Sequence, residues 1–274
     1  MGLRVNNNIF SLNAQRNLGN VSGRLAGNYS RLSSGLRIAT AADDAAGLGI
    51  SERMRAQVRS LNQASRNASD GIALVQTAEG SMGEVNANLT RMRELAVQAS
   101  NGTLNSGDRD VLNDEFTALI SEIDRVADDT TFNDVSLFTG STTSIDIQVG
   151  VDSGETISIS LSTVTDAGLG LDGTSFDITT STNAQAALAT IDSAIDTVTS
   201  FRGDLGAAQN RLSSTVRSIG AASENLQAAE SRIRDVDVAM ETADLTRNSI
   251  MQQAALSVLA QANSQPQLAL SLLG

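Results

Sequence analysis

The sequence predicts a mainly α-helical fold: an elongated rod of long antiparallel coiled-coil helices from both chain ends, with a small β-hairpin and loop region in the middle of the chain. Three observations support this prediction. Apolar residues recur at steps of three and four, or of seven, through both halves of the chain. Between residues 145 and 161 the apolar period changes to two, which is typical of strands. The C-terminal repeat is also too long for a compact globule, so the helices must extend along a rod.

The N-terminal half contains three predicted helices. The first has an apolar stripe at Leu18, Val21, Leu25, Tyr29, Leu32 and Leu36. The second has an apolar or small residue every seven positions at Met54, Leu61, Ala68, Val75, Met82, Leu89 and Ala96. Residues 101–108 interrupt the pattern, and a shorter helix follows with Ser106 as its predicted N-cap. The apolar positions of this shorter helix are Leu112, Phe116, Leu119, Ile123 and Val126.

Residues 141–183 form a predicted insert between the helical segments. Apolar residues alternate with mostly polar or small ones at Ile145, Ile147, Val149 and Val151, and again at Ile157, Ile159 and Leu161. The sequence DSGE at 152–155 separates the two runs as a turn, so together they predict a β-hairpin. Residues 163–183 are rich in Gly, Thr, Ser and Asp and are predicted to be surface loops.

The C-terminal half has the longest repeat. Eight consecutive heptad positions are apolar: Ile191, Val198, Leu205, Leu212, Ile219, Leu226, Ile233 and Met240. As a single helix, residues 184–245 would be about 90 Å long, whereas a compact chain of this size has a radius of gyration of about 19 Å. We predict a terminal coiled-coil domain of residues 1–42 plus 235–274 and a helical rod domain of residues 43–234.

The composition removes most catalytic chemistry. The chain has no Cys and no His, and all 19 basic residues are Arg. Disulfides, Cys/His zinc sites, a Ser–His triad and a Lys Schiff base are therefore excluded. Asp43 and Asp44 are a carboxylate pair without a further titratable partner, and Asp108, Asp110 and Asp114 lack the glycine and closing Glu of an EF-hand. We predict no enzyme, no cofactor and no metal site.

The distribution of charge indicates a protein partner. A net charge of −12 lacks the basic face that nucleic-acid binding needs, so no nucleic acid is expected. Residues 1–42 contain five Arg and no acid, whereas residues 224–247 contain six acids and three Arg, so the two ends are complementary. Residues 248–274 have no charged side chain, yet their Gln and Asn make them too polar for a transmembrane helix. Such an amphipathic tail usually packs against another helix, which predicts a self-assembling or coiled-coil interaction protein.

Motifs at both ends of the chain resemble the bacterial flagellins. On the N-terminal side they are Asn6-Asn7-Asn8, SSGLRI at 33–38, AADDAAG at 41–47 and MRELAVQASNGT at 92–103. On the C-terminal side they are SRIRDVD at 231–237, LAQAN at 259–263 and LSLL at 270–273. The resemblance implies a short flagellin without large variable outer domains, a structural subunit that polymerises with itself into the flagellar filament used for swimming.

The resemblance also implies a location and partners. Flagellins are secreted unfolded through the flagellar type III secretion system and assemble into an extracellular filament. The implied partners are an export chaperone, the filament cap and the hook–filament junction proteins, with no membrane. In the family the extreme termini pair as a coiled coil that lines the inner tube of the filament.

Two sets of residues are the candidate sites. The polymerisation core is assigned to Leu18, Leu25, Leu32, Leu36, Ile233, Met240, Leu259, Leu270 and Leu273. The resemblance implies that the vertebrate Toll-like receptor that senses flagellin contacts Arg91, Arg93, Glu94, Leu95 and Glu115. A second interpretation gives this set to contacts between neighbouring subunits, with Leu95 packed and Arg91 and Glu94 in ion pairs on the helix surface.

Two other functions stay open at this point. A hook–filament junction protein shares terminal helices with flagellin, although the full matches DDAAGLGI and RMRELAVQASNGT favour flagellin. A non-polymerising coiled-coil interaction protein would form a defined small oligomer and would not need matched motifs at both termini.

Overall fold

The computed structural model describes the backbone of residues 7–173 and 176–271, with side chains through residue 265. The elements in chain order are α1 (Ile9–Ser34), α2 (Ala45–Ala99), α3 (Ser106–Asp129), β1 (Thr131–Phe132), β2 (Val135–Ser136), β3 (Ser144–Gln148), β4 (Thr156–Ser160), α4 (Asp166–Leu169), α5 (Ser181–Arg234) and α6 (Val238–Ser271). Long helices come from both ends of the chain, and small antiparallel strand pairs lie in its middle. The predicted mainly α class is confirmed.

The chain divides into two compact units. We call residues 1–58 with 224–274 the terminal unit and residues 59–223 the central unit. The predicted domains, residues 1–42 plus 235–274 and residues 43–234, concern the assembled state of the protein, and they stay a prediction.

The central unit has a continuous hydrophobic core formed by α2, α3, α5 and the β3–β4 hairpin. The heptad positions of α2 and α5 enter it, since Val75, Leu89, Ile191 and Leu205 are at most 1% exposed. Its largest fully buried side chains are Phe116, Phe138, Met82, Leu89, Met92, Leu95, Ile123, Leu137, Ile159, Ile178 and Ile191. Burial at these positions confirms that the seven-residue repeats mark helix faces that pack together.

Two hairpins lie between α3 and α4. Strands β3 and β4 pair antiparallel with Ile145 opposite Ile159 and Ile147 opposite Ile157, which confirms the hairpin expected from the alternation. The β1–β2 hairpin was not predicted. Its turn residues Asn133 and Asp134 have φ angles of 49° and 63°, as the two central residues of a type I′ turn require.

The start of α3 differs from the prediction by one residue. Asn105, not Ser106, is the N-cap, and Ser106 is the first helical residue. The Asp108 amide donates to Asn105 Oδ1 at 2.9 Å, and the Asn105 amide donates back to Asp108 Oδ2 at 3.4 Å. This reciprocal capping box holds two free amides of the first turn, which a lone serine hydroxyl at the next position would not do.

The predicted single helix of residues 184–245 is wrong. Helix α5 ends at Arg234 and α6 begins at Val238, although the heptad continues through the break. The Arg37 amide donates to the Arg234 carbonyl at 2.7 Å, and the Val236 amide donates to the Gly35 carbonyl at 3.0 Å. Asp237 then caps α6, because its Oδ1 accepts the Ala239 amide at 2.9 Å. These partners replace the helical bonds, so the helix is interrupted here.

Candidate functional site

Helices α1 and α6 pack against each other as an antiparallel pair. The Asn8 side chain donates to the Ala262 carbonyl at 2.7 Å, whereas Asn28 near the other end of α1 donates to Glu241 at 2.5 Å. Residue numbers therefore rise along α1 as they fall along α6. The buried and half-buried seam of α1 follows steps of three and four: Ser11, Ala14, Leu18, Val21, Leu25, Asn28 and Leu32. This spacing is that of a coiled-coil seam.

The predicted polymerisation core is divided among several environments. Half-buried positions in the terminal unit are Leu18, Leu25, Leu32, Leu36, Ile233 and Leu259. Met240 lies on the outside of α6 and is 69% exposed. The backbone of Leu270 belongs to α6, its side chain lies outside the described side chains, and Leu273 lies outside the described residues. The structure thus places six of these residues within the chain's own terminal unit and Met240 on its surface.

The outer faces of α1 and α6 expose large apolar side chains that the sequence analysis did not single out as a surface. They are Ile9, Phe10, Leu12, Tyr29, Val238, Met240, Ile250, Leu256 and Val258, each between 51% and 69% exposed. We call this set the outer apolar face. So many large apolar side chains on one helix pair are typical of a surface that other chains cover.

The predicted apolar stripe of α1 is wrong at one position. Tyr29 is 58% exposed and belongs to the outer apolar face, while its neighbour Asn28 lies in the seam and is 5% exposed. The Asn248 side chain donates to Asn28 Oδ1 at 2.7 Å, and Arg31 Nη1 lies 3.7 Å from Glu241 Oε1. The heptad series Ala14, Val21 and Asn28 indicates Asn28 for the seam, whereas a choice by hydrophobicity favours its neighbour Tyr29.

The end of α5, just before the break that separates it from α6, is held to α2 by ion pairs within the terminal unit. Arg234 Nη1 lies 2.7 Å from Glu52 Oε1, and Arg55 pairs with both Glu52 at 3.0 Å and Glu230 at 3.6 Å. The hydrogen bond from Arg234, more than the charge of Arg55, lowers the pKa of Glu52. The Arg37 guanidinium also donates to the Ile233 carbonyl. These contacts hold the end of α5 against α2 and Arg37.

Four of the five residues assigned to receptor or subunit contacts form surface ion pairs in the central unit. Arg91 Nε donates to Glu115 Oε1 at 2.8 Å, and Arg91 Nη1 donates to Glu94 Oε2 at 3.0 Å. Arg93 Nε donates to Asp192 Oδ1 at 2.6 Å. The hydrogen bond to Glu115 is the largest cause of the raised pKa of Arg91, and the bond from Arg93 lowers the pKa of Asp192. Arg91, Glu94 and Glu115 thus form one exposed cluster.

Leu95 does not belong to that surface. Its side chain is fully buried in the core of the central unit, so it packs behind the charged residues of the same helix. Asp192 of α5 pairs with Arg93 of α2, and the sequence did not indicate Asp192. The sequence gives no local signal for this pair, because the two residues are 99 positions apart.

The carboxylates considered for catalysis have structural partners. Asp43 Oδ2 accepts the Thr40 amide and hydroxyl at 2.9 and 3.0 Å, and these bonds lower the pKa of Asp43. Asp44 Oδ1 accepts the Gly47 amide at 2.9 Å at the start of α2. Within residues 7–173 and 176–271, no three His, Cys, Asp or Glu side chains are grouped so as to hold a metal ion. In the same described part, no helix is long and apolar enough to cross a membrane.

Two family models match most of the chain. Residues 5–143 match the model described as the bacterial flagellin N-terminal helical region, and residues 188–273 match the bacterial flagellin C-terminal helical region. The chain is 51% identical over 269 residues to the flagellin of Halalkalibacterium halodurans, an alignment that covers 98% of this chain and 99% of the relative.

Two solved structures are similar in fold. The crystal structure of Bacillus cereus flagellin matches with a TM-score of 0.51 and 31% identity, covering 60% of this chain and 94% of that one. A flagellar hook-associated protein from Vibrio parahaemolyticus matches with a TM-score of 0.60 and 14% identity, covering 70% of this chain and 100% of that one. At 14% identity the second likeness concerns the fold alone.

Proposed function

The chain belongs to the bacterial flagellin family, and from that premise we propose how its two units serve the flagellar filament of which it is a structural subunit. The alignment to the flagellin of Halalkalibacterium halodurans covers 99% of that relative, and we infer a short form of the family without large outer domains. In our proposal the terminal coiled coil of residues 1–42 and 235–274 forms the inner tube, and residues 43–234 form the layer around it. The outer apolar face supports this arrangement, because neighbouring copies in an inner tube would cover it.

The proposal is tested by seeded growth. Filament fragments are incubated with the full chain or with a chain truncated before residue 248, and electron microscopy measures filament length. The full chain is expected to extend the seeds, and the truncated chain is expected to leave them unextended because it lacks most of the α6 face. Equal elongation by the truncated chain would contradict the proposed role of the termini.

A hook–filament junction protein is the second candidate, because the family resemblance implies that such a protein shares its terminal helices with flagellin. The 51% identity to a flagellin along nearly the whole chain favours the filament subunit. The two are distinguished by the same microscopy: a filament subunit adds indefinitely to seeds, whereas a junction protein stops after a short collar.

Partners before assembly follow from the same surface. An export chaperone would cover the outer apolar face of α6 while the chain waits for secretion by the flagellar type III system, and the filament cap and junction proteins would meet the chain at the filament ends. The absence of charge in residues 248–274 supports this, since such a segment is poorly protected from aggregation on its own. A pull-down assay measures how much flagellin export chaperone is captured by the full chain and by the chain truncated before residue 248, and less capture by the truncated chain is expected. Undiminished capture by the truncated chain would place the chaperone elsewhere.

The proposed role includes no catalysis. The support is compositional: without Cys, His or Lys the chain has no thiolate nucleophile, imidazole base or Schiff-base amine, and Asp43 and Asp44 accept backbone amides.

The exposed cluster of Arg91, Glu94 and Glu115 is proposed to contact the vertebrate Toll-like receptor that senses flagellin. Its support is geometric, because three charged groups within hydrogen-bonding distance present donors and acceptors on one surface of the central unit. Free protein is compared with Arg91→Ala and with the exposed control Arg125→Ala in a receptor reporter assay. Arg91→Ala is expected to lose at least tenfold in potency, roughly the effect of one charge-assisted hydrogen bond, and Arg125→Ala to lose little. Equal potency of all three proteins would contradict the proposal.

A further inference from the structure

We propose that Asn28, Glu241 and Asn248 form a pairing-specificity site, which makes α1 pair with α6 rather than with the same helix of another copy. The inference concerns which helices pair, and it goes beyond the role of the chain as a filament subunit.

The three side chains are polar where a coiled-coil seam is normally apolar. Asn28 is 5% exposed, and Glu241 and Asn248 are each 8% exposed. Burial of an amide or a carboxylate is costly, and apolar replacements in such sites are often neutral or stabilising. In coiled coils, a polar residue in the seam selects register and partner at the expense of stability. Stability alone therefore does not explain these residues.

The connections within the site are complementary and cannot be made by one helix alone. Asn28 donates to Glu241 Oε1 at 2.5 Å and accepts from Asn248 Nδ2 at 2.7 Å. Its single amide thus bridges two α6 residues that are seven positions apart, one heptad. Arg31 of α1 adds a cation 3.7 Å from the same carboxylate.

Wrong pairs would not reproduce this set of partners. In a pair of two α6 helices, Glu241 and Asn248 would meet neither Asn28 nor Arg31. In a pair of two α1 helices, Asn28 would meet neither the carboxylate nor the second amide. Apolar attraction between seam residues such as Leu18, Leu25 and Leu259 is not directional and offers little selection. Two other polar contacts between side chains of the seam lie at the opposite end and in the middle of the pair, where Ser11 donates to Asn263 Oδ1 at 2.7 Å and Gln252 donates to Ser22 at 3.5 Å, and neither includes a charged group.

Selection of this kind matters in a filament, where many copies of both helices lie close together. The outer apolar face already makes α1 and α6 attractive to neighbouring chains. A polar site that tolerates only the α1–α6 combination keeps that attraction from producing like-with-like pairs.

The test uses cysteine reporters in a chain that contains no Cys. Gln252 Nε2 lies 3.5 Å from Ser22 Oγ across the seam, so Ser22→Cys/Gln252→Cys places two thiols at facing positions of α1 and α6 and reports the native pair as an intrachain disulfide. Ser22→Cys alone reports α1–α1 pairs, and Gln252→Cys alone reports α6–α6 pairs, each as covalent dimers. All three are oxidised in free protein and in seeded filaments and are measured on non-reducing gels.

The first arm makes the seam apolar with Asn28→Leu/Glu241→Leu/Asn248→Leu. The covalent dimers from at least one single-cysteine reporter are expected to rise roughly tenfold, the effect of losing one hydrogen bond to a charged group. The matched control, Asn20→Leu/Thr242→Leu/Thr246→Leu, adds three leucines at exposed positions of the same helices and should change the dimers less than about twofold. No rise in the seam variant, or an equal rise in the control, overturns the proposal.

The second arm exchanges the partners and does not depend on filament growth. Asn28→Glu places two carboxylates together and is expected to lower the yield of the intrachain disulfide roughly tenfold. Adding Glu241→Asn restores one carboxylate and one amide with their positions exchanged. The carboxylate now lies on α1, three residues from Arg31, so the yield of the intrachain disulfide should return to within about twofold of that of the chain without these changes. An undiminished disulfide yield in Asn28→Glu, or a yield that stays low after Glu241→Asn is added, overturns the proposal.

Discussion

Replacing Leu95 with alanine is expected to destabilise the central unit, although the family resemblance implies a receptor contact for this residue. The Leu95 side chain is fully buried in the core. Removal of three buried carbons at roughly 0.8 kcal/mol each, plus the cavity that remains, lowers the free energy of unfolding by about 3 kcal/mol.

The measurement is urea unfolding of the free protein, followed by circular dichroism at the helical band. The matched control is Val97→Ala two residues along the same helix, because Val97 is 49% exposed and should change the free energy of unfolding by less than about 0.5 kcal/mol. A midpoint shift for Leu95→Ala no larger than that of Val97→Ala would refute the packing role. Loss of receptor signalling by Leu95→Ala without loss of stability would assign the residue to the receptor instead.

Three further predictions concern local structure. Asn105→Ala is expected to cost about 1 kcal/mol of stability in urea unfolding by removing the capping box, and Ser106→Ala much less; the reverse order would restore Ser106 as the cap. Asp134→Gly should raise the stability by about 0.5–1 kcal/mol, since glycine accepts the φ of 63° without strain; a lower melting temperature would contradict this. Hydrogen bonds from Thr179, the largest cause, and from Asn183 lower the pKa of Asp177 in the folded state. The ionised carboxylate therefore stabilises the fold fully above the pKa of the unfolded chain, and this stabilisation is lost as the pH falls through the folded-state pKa. Melting temperatures of the wild type and Asp177→Asn should therefore differ at pH 6, and the difference should begin to shrink only as the pH falls below about 4; a constant difference down to acid pH would contradict the assignment.

Local patterns predicted a large part of the fold. The heptads of α2 and α5 mark positions that are buried in the core, and the alternation around Ile145 and Ile159 marks the paired strands. The type I′ hairpin was missed because its strands have two residues each and its Asn-Asp turn lacks the usual glycine signal. The candidate site was less predictable: the charged surface residues of α2 were found, but Asp192 was not.

The sequence by itself determined that this chain is a flagellin with paired terminal helices, because periodicity and motifs are local properties of the chain. Only the tertiary structure decided where those helices end and which residues face each other. The heptad continues through Ile233 and Met240, yet the backbone breaks between them because residues 35–37 supply alternative hydrogen bonds from almost 200 positions away. Asn28 enters the seam in place of Tyr29 because Glu241 and Asn248 on α6 satisfy its amide. Burial of a polar group depends on its partners, and distant partners cannot be read from a local pattern.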